Sequence, residues 1–332
     1  MNITFMIGNG FDLGCGLKTR YKDVYDEYCI TASSSAIIQK FKDEIGSAYD
    51  TWADFEMAMN SYLPTFKKEE DFILCLRDFG NFMIGYLKRE EEAFLGILGG
   101  MDTAKKMLER PFNDAISSFY KGVSNNIDRK VGTIMALKPR MGFISFNYTK
   151  AFDTALSCCK GQDGVIHVHG TIGDAPIFGI DNESQLLPNG KFSLSNKGKR
   201  SFIKPVFNSE YDDKRSEDAK NAIKNSDIIC VFGLSLGESD LRWRNLLIDW
   251  LNNNPNRELF VYDFKWSCTS HINVQHRMDN EDDAKAEWLN RMNVNEDIAR
   301  EIYQQIHIPC GRNIFQIKDS IAFARVNKEI AK

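Results

Sequence analysis

The sequence lacks an apolar run long enough to cross a bilayer, and its first residues lack the basic start and cleavage site of a signal peptide. We therefore expect a cytoplasmic protein without a membrane partner. The sequence also lacks a block of like charge, because 42 Lys and Arg face 46 Asp and Glu for a formal net charge of -4. This balance gives no broad electrostatic footprint for nucleic acid, although a local basic groove stays open.

Closely spaced cysteine pairs are missing as well. The eight cysteines are scattered without a C-x-x-C pair, which argues against a zinc ribbon or a disulfide framework and favours small buried hydrophobes. Apolar residues are plentiful: of 332 residues, 43% are hydrophobic and 12% are aromatic. This composition predicts a globular chain with a large core, in one elaborated domain or two closely joined ones.

Six short apolar segments predict the strands of one sheet. They are rich in β-branched and aromatic residues and are separated by helical patterns, which favours a mostly parallel sheet covered on both faces. The predicted fold class is therefore α/β with a Rossmann-like sheet. The segments are 2–7, 141–149, 164–170, 227–236, 258–264 and 313–317.

The stretch between the first two segments has apolar residues at three- and four-residue spacing. It predicts a large helical insertion at 20–138, so that 1–19 and 139–332 form the Rossmann-type core. A second unusual region, 174–212, has prolines and glycines with little periodicity, which predicts a long functional excursion over the sheet edge. Further helices are predicted at 213–225, 240–252 and 280–305.

Four polar motifs follow predicted strands, each at the point where the strand ends. They are "GNGFD" at 8–12, "FNYT" at 146–149, "HVHG" at 167–170 and "GLSLGESD" at 233–240. Because the carboxyl ends of parallel strands share one edge of a sheet, we expect the four loops to build one crevice.

Each motif also has an ordinary structural interpretation. The glycine loop could be a tight turn without a ligand, and Asn147 could be a turn residue. The two histidines of "HVHG" could be core residues bonded to neighbouring carbonyls. Asp12 could cap a helix, and so could Ser239 or Asp240 in the last motif.

Together the motifs "IGNGFDLGCGLKTRYKDVY", "SFNYT", "HVHG" and "FGLSLGESD" resemble the abortive-infection AbiH family, whose members protect bacteria against phage. They also resemble a sirtuin-like NAD-binding core, which usually has Gly-Ala-Gly where this chain has Gly-Asn-Gly at 8–10 and Asn-Tyr-Asp where it has Asn-Tyr-Thr at 147–149. The cysteine pairs that hold zinc in deacetylating sirtuins are absent. The resemblance therefore implies an NAD hydrolase rather than a protein deacetylase.

This resemblance implies NAD as the substrate, nicotinamide and ADP-ribose as products, and no metal. Asn147 would orient the attacking water or ribose, and His169 would be the base or a ribose-hydroxyl partner. Asp263, at the end of the fifth predicted strand, lies where dinucleotide folds often hold a ribose. The remaining predicted ligand contacts are the backbone N–H groups of Gly8, Asn9 and Gly10 for the pyrophosphate, Ser235 for a phosphate, and Asp12 and Asp240 for ribose or for orienting the base.

Two other functions stay open. In a metal-dependent hydrolase or nuclease toxin, the His-x-His pair would join His271, His276 or His307, although positions 271 and 276 do not share a helical face well. In a non-catalytic module, the protein would sense NAD or a related nucleotide. A homo-oligomer or a phage-derived trigger would be a further partner, and the insertion is large enough to act as a lid or an assembly surface.

Overall fold

A computed structural model of the chain describes residues 1–159, 164–174, 176–211, 213–267 and 274–315, together with 317 and 321. Its strands are β1 (Asn2–Ile7), β2 (Arg140–Ser145), β3 (Val165–His167), β4 (Ile228–Phe232), β5 (Glu258–Tyr262) and β6 (Ile306–His307). They form one sheet in the order β3-β2-β1-β4-β5-β6, and every neighbouring pair is parallel. This order confirms the predicted Rossmann-like sheet and locates its topological switch point between β1 and β4.

The strands predicted at 141–149 and 227–236 end earlier, at Ser145 and Phe232, and two further strand predictions need correction. The strand predicted at 164–170 ends at His167, because a turn in which the Gly170 N–H donates to the His167 carbonyl at 3.1 Å follows it. The strand predicted at 313–317 was wrong: the described residues there form no strand, and Ile306–His307 is the edge strand. Phe315 has a left-handed φ of 55°, which is incompatible with a strand, and it is buried in the core.

Helices connect the strands and fill the predicted insertion, and among the described residues none of them is both long and apolar enough to span a membrane. The predicted helix at 280–305 is two helices, because Asn293 adopts a left-handed φ of 51° between them. The division of the chain into a helical insertion at 20–138 and a separate core stays a prediction. The helices are α1 (Gly10–Gly14), α2 (Tyr21–Tyr28), α3 (Ala36–Ser47), α4 (Phe55–Tyr62), α5 (Glu69–Leu98), α6 (Met101–Ser118), α7 (Asn125–Ala136), α8 (Ala151–Ser157), α9 (Asn196–Phe202), α10 (Lys204–Glu210), α11 (Arg215–Lys224), α12 (Leu241–Asn252), α13 (Phe264–Ser267), α14 (Val274–Arg291) and α15 (Glu296–Ile302).

Buried apolar residues form three clusters around this sheet. One face packs against α6, α7 and α8, and the other packs against α11, α12 and α14. The third cluster contains residues of the four helices α2, α3, α4 and α5 together with residues of the excursion 174–212. The 30-residue helix α5 contributes to the third cluster with its first part and to the sheet cluster with its last turns. The insertion is therefore packed both on the sheet and on the excursion.

Two backbone hydrogen bonds tie the two halves of the excursion to each other. The Ile180 N–H donates to the Phe202 carbonyl at 2.9 Å, and the Lys204 N–H donates to the Ile180 carbonyl at 3.0 Å. Gly179 has a φ of +147°, and a Cβ there would lie 2.1 Å from the Phe202 oxygen, so only glycine fits. This close approach holds Asp181 next to Lys204 at the carboxyl edge of the sheet.

Candidate functional site

The loops after β1 and β4 touch at the switch point through glycines. The Gly8 N–H donates to the Phe232 carbonyl and the Gly10 N–H donates to the Gly233 carbonyl, both at 2.9 Å. A Cβ on Gly10 would lie 2.5 Å from the Cα of Gly233, whose own φ is +61°. The glycines therefore allow two backbones to meet, which a side chain on either loop would prevent.

This packing bears on the predicted pyrophosphate contacts. The N–H groups of Gly8 and Gly10 already have acceptors within the protein. In the Asn9 side chain, Nδ2 donates to the Thr19 carbonyl at 3.1 Å and Oδ1 accepts from the Thr19 hydroxyl. Phosphate binding by Gly8, Asn9 and Gly10 stays a prediction. The charged side chains that could bind a phosphate lie elsewhere on the cavity lining.

Asp12 links the first loop to the loop after β2. Its Oδ1 accepts from the Asn147 amide at 2.9 Å, and its Oδ2 accepts from the Thr149 hydroxyl at 2.6 Å. The same Asn147 amide donates to the Gly8 carbonyl at 3.1 Å. Burial raises the pKa of Asp12 to about 7, although both hydrogen bonds act to lower it. Asp12 thus fixes the position of Asn147 rather than capping a helix from an exposed site.

A cavity of about 610 Å³ lies over this edge of the sheet. Loops after β1, β2, β3, β4 and β5 line it, and the insertion closes one side. Every predicted site residue except Gly8 lies on its lining. The residues brought together are Asn9, Gly10, Asp12, Asn147, His169, Ser235, Asp240 and Asp263.

His169 and Asp240 form a buried pair within the cavity. The His169 Nε2 and the Asp240 Oδ1 are 3.5 Å apart. Asp240 precedes α12, yet its side chain makes no cap hydrogen bond, so the capping interpretation does not account for it. Burial lowers the pKa of His169, and the positive charge of Lys204 lowers it further, against the opposing effect of Asp240. Burial raises the pKa of Asp240, but His169 and Lys204 outweigh it and hold that pKa below its ordinary value.

Lys204 is a site residue that the sequence analysis missed. Its Nζ lies 3.6 Å from the Asp181 Oδ1, and both side chains are buried. Burial lowers the pKa of Lys204, but the carboxylates of Asp181, Glu56 and Asp240 reverse the effect and raise it. The cavity therefore contains a buried, charged ammonium group. A single lysine inside the apolar run "FIKPVF" was the available signal.

Glu56, on α4 of the insertion, was missed as well. Its side chain is buried on the cavity wall, and the Tyr21 hydroxyl donates to its Oε2 at 2.8 Å. Burial raises the pKa of Glu56 to about 7, while Lys204 and the Tyr21 hydrogen bond act to lower it. Glu56 lies among the apolar residues of "DFEMAM", but nothing in that pattern links α4 to the sheet edge.

At the other end of the cavity, Asp263 pairs with Arg291. The Asp263 Oδ2 accepts from Arg291 at 3.0 Å, and its Oδ1 accepts from the Lys265 N–H at 3.0 Å. Phe264 lines the same end and is 79% exposed. Ser235 is an exposed residue of the lining between the two ends.

The remaining histidines do not join His169. His167 is not on the cavity lining: its Nδ1 faces the Asn147 carbonyl at 3.2 Å and its Nε2 faces the Asp153 carboxylate at 2.9 Å. His307 lies on the opposite edge strand, His276 is exposed on α14, and His271 is outside the described residues. Within the described ranges, no group of three or more His, Cys, Asp or Glu side chains could hold a metal ion.

The fold and the cavity define an α/β protein with a ligand crevice at the switch point of a doubly wound parallel sheet. A family model described as bacteriophage abortive infection AbiH matches residues 4–263, which includes the insertion and all four motifs. The protein therefore belongs to the AbiH family, and this membership supports a role in anti-phage abortive infection. A comparison with curated proteins gives no match.

Proposed function

We propose that the protein is an abortive-infection enzyme that hydrolyses NAD to nicotinamide and ADP-ribose. The observation that carries the proposal is the His169–Asp240 pair, which lies inside the cavity of about 610 Å³ at the switch point. This volume is typical of small-molecule sites, and the edge of the sheet is the one where nucleotides bind in this fold class.

The order of the loops supports a dinucleotide with its pyrophosphate in the middle. His169 follows β3 and Asp263 follows β5, which are four strand spacings apart in the sheet, or about 19 Å for ordinary strand spacing. In this pose, the nicotinamide ribose lies near His169 and the adenosine lies near Asp263. Arg20 and Lys22, which also line the cavity, would supply positive charge to the phosphates.

The proposed reaction breaks the bond between ribose C1′ and nicotinamide. The bonding electron pair leaves with nicotinamide, which becomes neutral, and positive charge develops on the ribose as in glycoside hydrolysis. Water then adds to C1′, and its proton passes to His169. The products are nicotinamide, ADP-ribose and one proton.

The protonation state of His169 fits the role of base. Burial and Lys204 lower its pKa, so the ring is neutral and can accept a proton at neutral pH. The two amide hydrogens of Asn147 go to Gly8 and Asp12, which leaves its Oδ1 to accept a hydrogen bond. We assign that oxygen to the attacking water or to a ribose hydroxyl.

The test is incubation of purified protein with NAD, with and without EDTA, followed by quantification of nicotinamide and ADP-ribose. We expect equal amounts of the two products and the same rate with the chelator, because the leaving group is already cationic and needs no Lewis acid. Loss of activity with EDTA and recovery with a divalent ion would contradict the proposal and favour a metal-dependent hydrolase. Nucleotide binding without turnover in any assembly state would favour the sensing module.

A further inference from the structure

The insertion contributes a buried acid to the wall of the cavity. Glu56 is in the first turn of α4, which Asp54 caps by accepting a hydrogen bond from the Met57 N–H at 3.1 Å. Glu56 is only 4% exposed, and it lines the cavity. An acidic residue in the first turn is favoured by the helix dipole, which helps to hold α4 in this orientation.

The helix that carries Glu56 is firmly packed. The ring of the neighbouring Phe55 stacks on Phe79 of α5 with a centroid distance of 4.0 Å, inside the third apolar cluster. Tyr21, from α2, donates its hydroxyl hydrogen bond to Glu56 from the same cavity wall. The carboxyl group is therefore held by two helices of the insertion and has little freedom to leave the cavity.

Glu56 faces the same end of the cavity as the proposed base. The Tyr148 ring lies 6.3 Å from the His169 ring, its hydroxyl donates to the Ile177 carbonyl at 3.2 Å, and burial and the charge of Glu56 raise its pKa. Glu56, Lys204 and His169 all line the cavity, and the charge of Lys204 lowers the pKa of both Glu56 and His169. His169 comes from the sheet edge, whereas Glu56 comes from the insertion.

Packing alone does not explain an acid at this position. Burial of a carboxyl group costs free energy, and here it raises the pKa to about 7. A glutamine would keep a hydrogen bond to Tyr21 without that cost, and Asp181 and Asp240 would still offset the charge of Lys204. An acid with a strongly shifted pKa, facing a cavity beside a histidine, is typical of a functional group.

We propose that Glu56 is a further catalytic residue, whose carboxylate stabilises the positive charge on the ribose while the bond to nicotinamide breaks. This inference rests on the proposed NAD hydrolysis. Glu56 forms no covalent bond in this step: the electron pair leaves with nicotinamide, and water supplies the new bond to C1′. A negative charge on a side chain as buried as Glu56 stabilises a developing cation more than it would in solvent. The insertion is then part of the active site, because it supplies a catalytic group that the core lacks.

The test compares Glu56→Gln with Asp78→Asn in the full-length protein. Asp78 is a matched control because the Tyr28 hydroxyl donates to it at 2.7 Å within the same insertion, yet it does not line the cavity. For Glu56→Gln we expect kcat for nicotinamide release to fall about 100-fold, as for other single electrostatic groups. KM for NAD and binding of ADP-ribose should stay near the wild-type values. Asp78→Asn should keep the wild-type kcat.

The pH profile separates a catalytic role from a structural one. The wild-type kcat should rise as Glu56 loses its proton near pH 7, and this rise should be missing in Glu56→Gln. Glu56→Asp, which keeps the charge, should recover part of the lost kcat. If thermal unfolding shows that Glu56→Gln does not fold, Glu56→Asp decides: an unchanged kcat overturns the inference, and a reduced kcat at unchanged KM supports it.

Three results would overturn the catalytic role of Glu56 and leave the proposed NAD hydrolysis intact. They are an active wild type with equally active Glu56→Gln, an equal loss of kcat in Asp78→Asn, or loss of ADP-ribose binding in a folded Glu56→Gln protein. A wild type that does not release nicotinamide from NAD would instead overturn the proposed function, and the role of Glu56 with it.

Discussion

Two buried histidine–carboxylate pairs lie at opposite ends of this molecule. In the cavity, His169 Nε2 and Asp240 Oδ1 are 3.5 Å apart, and on the far edge strand His307 Nε2 and Glu258 Oε2 are 2.6 Å apart. Burial lowers the pKa of both histidines. Glu258 also forms an ion pair with Lys130, so the carboxylate of the His307–Glu258 pair has a second partner.

The difference between the pairs is their position, not their chemistry. Glu258 begins β5 at the amino end of the parallel strands, and neither Glu258 nor His307 lines the cavity. His169 and Asp240 lie in loops at the carboxyl end, where this fold class binds ligands. Position at the carboxyl edge, open to the cavity, is therefore what makes His169 and Asp240 the candidate catalytic pair.

The largest expected effect separates the two histidines. His169→Ala should lower nicotinamide release by about 10²–10⁴-fold, because general-base catalysis typically contributes that much. His307→Ala should lower the melting temperature but retain turnover in the protein that stays folded. The measurement is nicotinamide release and thermal unfolding for both variants, and a His307→Ala loss equal to that of His169→Ala would break the comparison.

A smaller effect on kcat is expected when the Asp240 carboxylate beside His169 is removed. Asp240→Asn should lower kcat by about tenfold to 100-fold, since the partner of a base orients it and tunes its pKa. Because Asp240 raises the pKa of His169, its removal should shift the His169 limb of the pH–rate profile, which lies at lower pH than the Glu56 limb, to still lower pH. Glu258→Gln is the control and should leave the profile in place. An unshifted profile in Asp240→Asn would contradict the pairing.

His167 provides a third histidine with two acceptors but no access to the cavity. His167→Ala should destabilise the protein by about 1–3 kcal/mol, because the Asn147 carbonyl and the Asp153 carboxylate lose a buried donor. Its kcat should change much less than that of His169→Ala. Denaturant unfolding and nicotinamide release measure the two effects. Turnover abolished at unchanged stability would reverse the roles of the two histidines.

The smallest expected effect is a pH dependence of stability that comes from Asp12. Its pKa is raised from 3.8 to about 7 in the folded state, so the folded protein favours the protonated carboxyl. The stabilisation is complete at pH values below about 4 and is lost as the pH rises to 7. Asp12→Asn should remove on the order of 1 kcal/mol of this decline between pH 5 and 7. Unfolding curves with the same pH slope in both proteins would contradict it.

The sequence predicted the residues that lie at strand ends. Asn147, His169 and Asp240 each follow an apolar run, and the topology of a parallel sheet brings such residues together without further information. The strand predicted at 164–170 included both histidines of "HVHG", but a turn ends the strand at His167. The apolar letters at 313–317 were assigned to a strand because burial and strand formation favour the same residue types.

Glu56 could not be predicted as a site residue, and the signal for Lys204 was limited to a single lysine in an apolar run. Their place depends on how α4 and the excursion pack on each other, through contacts such as the hydrogen bond from the Asn60 side-chain amide to the Gln185 carbonyl, which joins residues remote in sequence. Periodicity describes one helix at a time and carries no information on which wall of a cavity that helix will form.

The most direct test of the central claim is NAD turnover in ¹⁸O-labelled water, followed by mass spectrometry of the products. We predict equimolar nicotinamide and ADP-ribose, with one ¹⁸O atom at the ribose C1′, for the wild type and His307→Ala, and intact NAD for His169→Ala. Intact NAD with the wild-type protein, or cleavage at the pyrophosphate with nicotinamide still attached to its ribose, would contradict the account.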